Sequence, residues 1–316
     1  MMDSAQLDKL PYAKFAEEFS IMIPDAAEER RGYRFVHDPL AGNGFEQIVN
    51  SINGLKLPDL HFMGIIGSVD KAFSYIANLN PKRAFLFDNK ENKIPQLGLR
   101  LCLLKKSKNV SDNYFDMLCV PEGDRKTFMS AVDDHELQGL LKFYDPDPDK
   151  IAEQGSYFMN DIGYTHPSQH IRDVFTGEQS EKGVEMRKQY ARECVQALAR
   201  AENWLGERNA WSDQFNFVKL WQMTVGNRIR GFYADLYKGF RSSAKRLIEG
   251  YGIRNLVVSV SNIPEIEQRD KKKSGEPDRT LVDAFDDLPH SLDRLLVIEE
   301  RENTQPNFFV WRPVQH

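Results

Sequence analysis

Two short apolar runs with a helical stretch between them decide the fold. Residues 60–66 read Leu-His-Phe-Met-Gly-Ile-Ile, and residues 84–88 read Ala-Phe-Leu-Phe-Asp. The pattern of residues 71–78 predicts a helix between these runs, and a second helix is predicted after them, ending at about Lys105. Short continuous apolar runs that alternate with helices are typical of strands buried on both faces of a parallel sheet. An α/β domain is therefore predicted from about residue 59 onward.

Four later runs extend the same pattern. They are predicted as strands at residues 229–234, 255–260, 294–299 and 308–311, and a helix stopped by Gly252 is predicted at residues 240–251. A short turn joins the last two strands, which favours an antiparallel hairpin. We therefore predict a Rossmann-like α/β fold, in which a mostly parallel sheet has helices on both faces, right-handed crossovers and a C-terminal antiparallel hairpin.

Helical sequence precedes and interrupts this domain. Residues 1–58 are predicted to form an N-terminal helical segment, and residues 59–316 an α/β domain with a long helical insertion at about 107–225. The clearest helix of the insertion is predicted at residues 182–204, where apolar side chains recur at helical spacing: Met186, Tyr190, Cys194, Leu198 and Ala201. An aromatic stripe near the end of the insertion is predicted to pack in the core: Phe215, Phe217 and Trp221.

The composition excludes several classes of protein. Hydrophobic residues make up 41% of the chain and charged residues 28%, a balance that argues against intrinsic disorder. The net charge of −5 gives no overall attraction to nucleic-acid phosphates. No apolar run approaches the ~18 residues that span a bilayer, and no signal peptide is visible, so a cytoplasmic protein is expected. Three scattered cysteines, and no other cluster at a metal-ligand spacing, predict no metal site.

Glycines and an acid follow the first two predicted strands, at the edge where a parallel α/β sheet binds its ligands. Gly64, Gly67 and Ser68 stand where the chain turns into the next helix, which lets a ligand approach the backbone and the free N–H groups of the helix. A plain strand-to-helix turn is the alternative. Asp88 closes the second strand, 21 positions after Gly67, where a carboxylate can accept both hydroxyl protons of a ribose. Its alternative role is a helix N-cap.

Polar residues close the next two strands as well. Asp235 follows the third strand, where its carboxylate can face the exocyclic amine of an adenine or cap the following helix. Ser261 and Asn262 follow the fourth strand, and a side-chain amide there can bind a substrate or the amino-acid end of a cofactor. A turn-forming asparagine is the alternative. The coincidence of polar residues at all four strand ends supports a ligand site more strongly than any one of them.

Together, these strand-end residues resemble the ordered motifs of the Rossmann-like S-adenosylmethionine-dependent methyltransferases. The resemblance covers about residues 60–105 and 225–312 and rests on Gly64-Ile65-Ile66-Gly67-Ser68, Asp88, Asp235 and Ser261-Asn262-Ile263-Pro264. It implies that S-adenosyl-L-methionine is the cofactor. The resemblance places Gly64, Gly67 and Ser68 beside the methionine part of that cofactor, and it assigns the ribose to Asp88.

The later motifs carry further implications of the same resemblance. Asp235 would approach the adenine, Ser261 would contact the cofactor, and Asn262 would border the transferred methyl group as the catalytic residue. Val69 and Asp70 occupy the region of the family's usual third glycine. Glu265 stands where family members that methylate nucleic-acid bases carry an aromatic side chain. A small molecule or a protein is therefore the expected substrate, rather than a nucleic acid.

Two functions are open at the level of the sequence. The first is transfer of a methyl or related alkyl group to a small molecule or protein. The second is a non-catalytic, methyltransferase-like scaffold whose helical insertion contacts a partner. Methyl transfer from a sulfonium depends mostly on alignment and on exclusion of water, so an active enzyme needs no conspicuous catalytic motif. The fold does not distinguish the two functions.

Overall fold

The computed structural model describes residues 3–21, 42–89, 93–109, 112–113, 122–123, 125–126, 214–261, 281–285, 288, 291–299 and 307–311. The predicted helix at residues 182–204 and the predicted catalytic residue Asn262 lie outside these ranges. The two ends of the predicted insertion lie within them, at residues 107–109 and 214–225.

A six-stranded sheet forms the centre of the described fold. Its strands are β1 (Leu60–Ile65), β2 (Arg83–Asp88), β3 (Ile229–Tyr233), β4 (Asn255–Ser261), β5 (Arg294–Glu299) and β6 (Asn307–Trp311). They lie in the order β3-β2-β1-β4-β5-β6, in which the first five strands are parallel and β6 is antiparallel to β5. The structure confirms the predicted Rossmann-like α/β fold.

Helices cover both faces of the sheet. They are α1 (Ser4–Asp8), α2 (Tyr12–Phe19), α3 (Gly42–Gly54), α4 (Val69–Leu79), α5 (Lys93–Lys106), α6 (Gln214–Val225), α7 (Phe240–Tyr251) and α8 (Leu281–Phe285). Helix α4 packs against α3 and α6, and α6 also packs against α5. Helix α7 packs against α1, α2 and α8. These two groups of helices lie on opposite faces.

The register of the sheet explains why its apolar runs are continuous. Met63 of β1 pairs with Phe85 of β2 and with Val258 of β4, and all three side chains are fully buried in the core that α7 covers. Successive residues of a strand point to opposite faces. The Phe62 ring accordingly lies on the other face, 6.1 Å from the ring of Tyr75 in α4. Because helices cover both faces of the sheet, polar residues do not alternate with apolar ones along these strands.

The N-terminal helices pack into the same core. Phe15 of α2 is fully buried within it. Asp8 of α1 forms a two-pronged ion pair with the guanidinium of Arg83 at the start of β2. After α2, the N–H of Ile21 donates to the carbonyl of Tyr233 at 2.9 Å. This contact satisfies part of the exposed edge of β3, where an uncovered strand would otherwise offer free backbone groups.

The C-terminal end of α7 agrees with the prediction from the sequence. Helix α7 spans the predicted residues and ends at Gly252, which adopts the left-handed conformation with φ of 61° and donates its N–H back to the last turn. A residue with a β-carbon is strained in this conformation. The glycine therefore allows the chain to turn directly into β4.

The aromatic stripe of α6 divides between the core and the surface. Phe217 is 2% exposed, as predicted, but Phe215 is 72% exposed and Trp221 is 37% exposed. The prediction that all three pack in the core is therefore wrong for Phe215 and Trp221. Helix geometry explains Phe215, because residues two positions apart lie about 200° apart around the axis and cannot share a face. Trp221 lies only about 40° from Phe217, but its indole N–H donates to the backbone carbonyl of Lys105 at the surface, at 3.1 Å.

Candidate functional site

The sheet order brings the predicted ligand-binding residues to one edge. The strand order reverses between β1 and β4, and such a switch point opens a crevice at the carboxyl ends of the strands. Gly67 lies in the 3₁₀ turn Ile66–Ser68 that follows β1, and Asp88 is the last residue of β2. The two strands pair up to Ile65 and Phe87. Gly67 and Asp88 therefore meet directly beyond the paired part of the sheet.

Gly67 and the side chain of Asp88 lie in close contact at this edge. A β-carbon built on Gly67 would lie 3.3 Å from Oδ2 of Asp88, tighter than ordinary van der Waals contact. Asp88 is 7% exposed, so its carboxylate is largely removed from bulk water. Because Gly67 has no side chain, the buried carboxylate of Asp88 can lie close against the turn after β1.

Gly64 has a different environment from Gly67. It lies inside β1, paired with Leu86, and not in the turn beyond the strand. A β-carbon at this position would lie 2.7 Å from Cε1 of Phe62 and 3.4 Å from Cδ2 of Leu86. Packing of the Phe62 ring thus accounts for this glycine. Its predicted contact with the cofactor stays a prediction.

Asp235 shapes the turn that leads from β3 to α7. Its Oδ1 accepts from the backbone N–H groups of Tyr237 at 2.9 Å and Lys238 at 3.1 Å. Its backbone carbonyl accepts from the N–H of Phe240, the first residue of α7, at 2.9 Å. The side chain of Asp235 therefore orders the turn before α7, whereas the N-cap position of that helix is Gly239, which has no side-chain capping bond.

Asn89 joins the ends of β2 and β3, and the sequence reasoning did not single it out. Its exposed side-chain amide donates from Nδ2 to Oδ2 of Asp235 at 3.4 Å. The backbone carbonyl of Asp88 also accepts from the N–H of Ala234 at 3.0 Å. The sequence signal was a polar residue directly after a strand-terminal acid. The contact of Asn89 with Asp235 depends on the pairing of β2 with β3, two strands that lie far apart in the chain.

Ser68 and Ser261 flank the reversal of strand order. Ser68 ends the 3₁₀ turn after β1, and Ser261 is the last residue of β4, beside Glu299 of β5. Because β1 and β4 are neighbours, the backbone of both residues lies at the same edge as Gly67 and Asp88. Asn262, which follows Ser261, lies outside the described residues.

A cavity of about 290 Å³ lies at the opposite edge of the sheet. Lys56, Lys82 and Arg228 line it, after α3, before β2 and before β3 respectively. Lys82 pairs with Asp59 at 3.1 Å. This cavity is at the amino ends of the strands and is separate from the candidate site.

The described residues bear on two further predictions. Among them, no three His, Cys, Asp or Glu side chains come together to hold a metal ion. Within the same residues, no helix combines the length and apolarity needed to cross a bilayer.

Comparison with known proteins adds no relative. No protein-family model matches the chain, and no curated protein matches it significantly. The strand-end geometry and the resemblance of its motifs therefore carry the argument about function.

Proposed function

We propose that the chain binds S-adenosyl-L-methionine at the carboxyl ends of β1 to β4 and transfers a methyl or related alkyl group to a small molecule or protein. One observation supports this most: Gly67, in the turn after β1, lies directly against the buried carboxylate of Asp88 at the end of the neighbouring strand. The strand order, with its reversal between β1 and β4, is the architecture that binds nucleotides at this edge.

The ribose is the part of the ligand that this geometry fits best. An ionised carboxylate has acceptor capacity for two hydroxyl groups, and hydrogen bonds to a charged acceptor are stronger than neutral ones. Asp88 holds its carboxylate in a largely water-free position, which increases the strength of such bonds. A side chain at position 67 would crowd the same oxygen.

The adenine fits beside the pair formed by Asn89 and Asp235. Oδ1 of Asp235 is engaged by the turn before α7, whereas Oδ2 faces the amide of Asn89. An exocyclic amine approaching this pair would share Oδ2 with that amide. In this proposal the turn before α7 has two roles, because it starts the helix and fixes the carboxylate.

The protein's part in the reaction is mainly placement. The cofactor would supply a methyl group on a positively charged sulfur, which leaves as a neutral thioether when a nucleophile attacks in line. The chain's own residues align the two reactants and exclude water, which can supply several kcal/mol of barrier reduction. Asn262 is the residue that the motif resemblance puts beside the transferred group.

Direct titration of the purified chain with S-adenosylmethionine and S-adenosylhomocysteine tests the proposal. Saturable binding that depends on Asp88 is the expected result. If neither ligand binds, the cofactor proposal is lost, and the partner-binding scaffold becomes the better explanation of the fold. Methyl transfer itself is tested by following labelled methyl groups into candidate proteins and extracts of small molecules.

A further inference from the structure

The cavity at the amino ends of the strands has a cationic lining. Its volume of about 290 Å³ is room for roughly ten groups of the size of a water molecule. Lys56, Lys82 and Arg228 line it, and Asp59 is the single acid among its lining residues, which leaves two positive charges in excess. A concave site with a few convergent polar groups is the usual form of a small-molecule site.

Two of these three cations have no counter-ion within the part of the chain that the structure describes. Lys56 and Arg228 form no ion pair with any described residue. Lys82 pairs with Asp59 at 3.1 Å, but both side chains are exposed, and such a pair contributes little to stability. Arg228 is half-buried, so an anion beside it would be screened less by salt than at the open surface. The cavity therefore offers positive charge that its described surroundings leave uncompensated.

The sheet fixes the two cations that precede strands. The backbone N–H of Lys82 donates to the carbonyl of Leu60 at 2.6 Å, and the N–H of Ala84 donates to the carbonyl of Arg228 at 2.8 Å. The pairing of β2 with β1 and β3 thus sets both positions before any ligand binds. A preformed site loses less conformational freedom on binding than one that has to be ordered.

The backbone at this edge adopts conformations that disfavour side chains. Positive φ occurs at four non-glycine residues of the described chain, and all four lie here: Lys56 at 48°, Asp59 at 48°, Asn80 at 45° and Asn227 at 52°. Asparagine and aspartate tolerate this conformation, whereas lysine is uncommon in it. Lys56 follows the end of α3, where a glycine would remove the strain. The chain thus keeps a strained lysine at the cavity, and strain of this kind clusters at ligand sites.

The ends of three helices are the alternative explanation of these cations. Helices α3, α4 and α6 end at this edge, and each end carries at most about half a negative charge, which acts only near the last turn. Carbonyls of the last turns are already occupied, because that of Ile76 accepts from the N–H of Asn80 at 2.9 Å and that of Met223 from the N–H of Arg228 at 2.8 Å. Together the three ends fall short of the two excess positive charges of the lining.

We propose that the cavity binds a small oxyanion with at least two negative charges, of the phosphate-ester or polycarboxylate class. The planar guanidinium of Arg228 offers parallel N–H donors to two oxygens of such a group, and Lys56 and Lys82 add charge without a fixed geometry. A dianion neutralises the excess charge of the lining. The site lies at the opposite edge of the sheet from Asp88, so it is independent of the proposed cofactor site.

Calorimetric titration with pyrophosphate, citrate and acetate at matched ionic strength tests the site. We expect saturable binding of pyrophosphate or citrate with a Kd of about 1 mM or below. Preference for pyrophosphate identifies phosphate esters as the class, and preference for citrate identifies polycarboxylates. Equal affinity for the monovalent acetate, or no saturable binding of pyrophosphate and citrate up to about 10 mM, would overturn the proposal.

Lys56→Gly separates ligand binding from backbone strain. It removes the ammonium and relieves the left-handed backbone, so affinity for the preferred anion should fall at least about tenfold while Tm is unchanged or higher. Asn227→Gly is the matched control, because it relieves the same conformation at a residue outside the lining and should leave the affinity unchanged. If the lysine serves only the end of α3, both glycine variants will bind the anion equally, and the proposal fails.

Arg228→Gln tests the second uncompensated cation. It should also weaken binding of the preferred anion at least about tenfold, because it removes a charge-assisted pair of hydrogen bonds. Lys245→Met is the control for net charge, since it removes an exposed cation of α7, on the opposite face of the sheet. We expect no change in affinity there. A loss of equal size in Lys245→Met would show unspecific attraction to the whole chain and would overturn the assignment to this cavity.

Discussion

At the scale of single residues, the carboxylate of Asp88 carries most of the proposed ligand binding. Asp88→Ala is expected to weaken binding of S-adenosylhomocysteine by roughly 10- to 150-fold, because hydrogen bonds to a charged acceptor contribute on the order of 1.5–3 kcal/mol. Calorimetric titration measures the loss. Asp293→Ala, which removes an exposed carboxylate bound to Arg254, should leave binding unchanged. A variant at position 88 that is less stable yet binds normally would make Asp88 structural.

Substitution of Gly67 gives the complementary test, because it adds atoms to the site whereas Asp88→Ala removes them. Gly67→Ala puts a methyl group 3.3 Å from Oδ2 of Asp88. Overpacking of this kind costs about 1–3 kcal/mol. Where that cost has to be met in the ligand-bound state, because the Asp88 carboxylate can no longer move aside, ligand affinity should fall by up to roughly 150-fold. Gly54→Ala is the matched control, since nothing lies within 4 Å of its added carbon. Equal affinity in the two alanine variants would show that the ligand does not pass beside position 67.

His61 makes the stability of the fold depend on pH. It is 2% exposed, its Nδ1–H donates to the carbonyl of Asp59 at 2.8 Å, and its Nε2 has no hydrogen-bond partner within the described residues. Burial, assisted by the nearby charge of Arg83, lowers the pKa of His61 to about 4 from its usual 6.5. The native state therefore stays neutral at a pH where the unfolded chain takes up a proton.

The sign of this effect follows from proton linkage. Between pH 6.5 and 4 the unfolded state binds more protons at His61, so the free energy of unfolding falls as the pH falls, by about 3 kcal/mol in total. The contribution is fully present above pH 6.5. Denaturant melts at several pH values measure it, and His61→Phe should flatten the slope in this window. A slope that is identical in both proteins would contradict the lowered pKa.

At the scale of elements, the sequence predicted the strands well because their environment is simple. β2 and β4 are buried on both faces, so a continuous apolar run is sufficient to predict them. Elements whose position depends on distant partners were not predictable in the same way. The ion pair of Asp8 with Arg83 joins residues that are 75 positions apart, and no local pattern indicates it.

The candidate site shows the same division. Asp88 and Gly67 were predicted from spacing, and the structure brings them together because their strands are neighbours. Gly64 was singled out by the same motif, yet its close neighbour is the ring of Phe62. The contribution of Asn89 became visible only through the pairing of β2 with β3. Sequence spacing identifies strand ends, whereas the contacts between them require the topology.

Helix α2 gives a prediction at this scale. Phe15 is fully buried, its ring stacks 6.1 Å from that of Phe85, and the guanidinium of Arg230 lies 5.2 Å from its centre. Phe15→Ala should therefore lower the free energy of unfolding by about 3–5 kcal/mol. Leu55→Ala, at a side chain 47% exposed, should change it by no more than about 0.5 kcal/mol. A small effect at position 15 would mean that the N-terminal helices are not part of the cooperative core.

At the scale of the whole molecule, the two edges of the sheet differ in electrostatic character. The helices α3, α4 and α6 end at the amino edge, where the negative ends of their dipoles gather. Lys56, Lys82 and Arg228 line the cavity at this edge and complement those ends. The positive end of the α4 dipole lies at the opposite, carboxyl edge, where the helix begins after Gly67. In the proposed function, the carboxylate end of the cofactor would lie near this positive end, at the same edge as Asp88.

Ligand binding at that edge should stabilise the whole fold, because β1, β2, β3 and β4 all contribute to it. Saturation with S-adenosylhomocysteine at 100 times Kd should add about 2.7 kcal/mol to the free energy of unfolding. For a chain of this size that corresponds to a rise in Tm of roughly 5 °C. Thermal melts with and without ligand measure the shift, which Asp88→Ala should reduce by about half or more at the same ligand concentration and Asp293→Ala should preserve. Unchanged melting of the wild-type chain at millimolar ligand would remove the cofactor from the proposal, and the same fold would then be interpreted as a partner-binding scaffold.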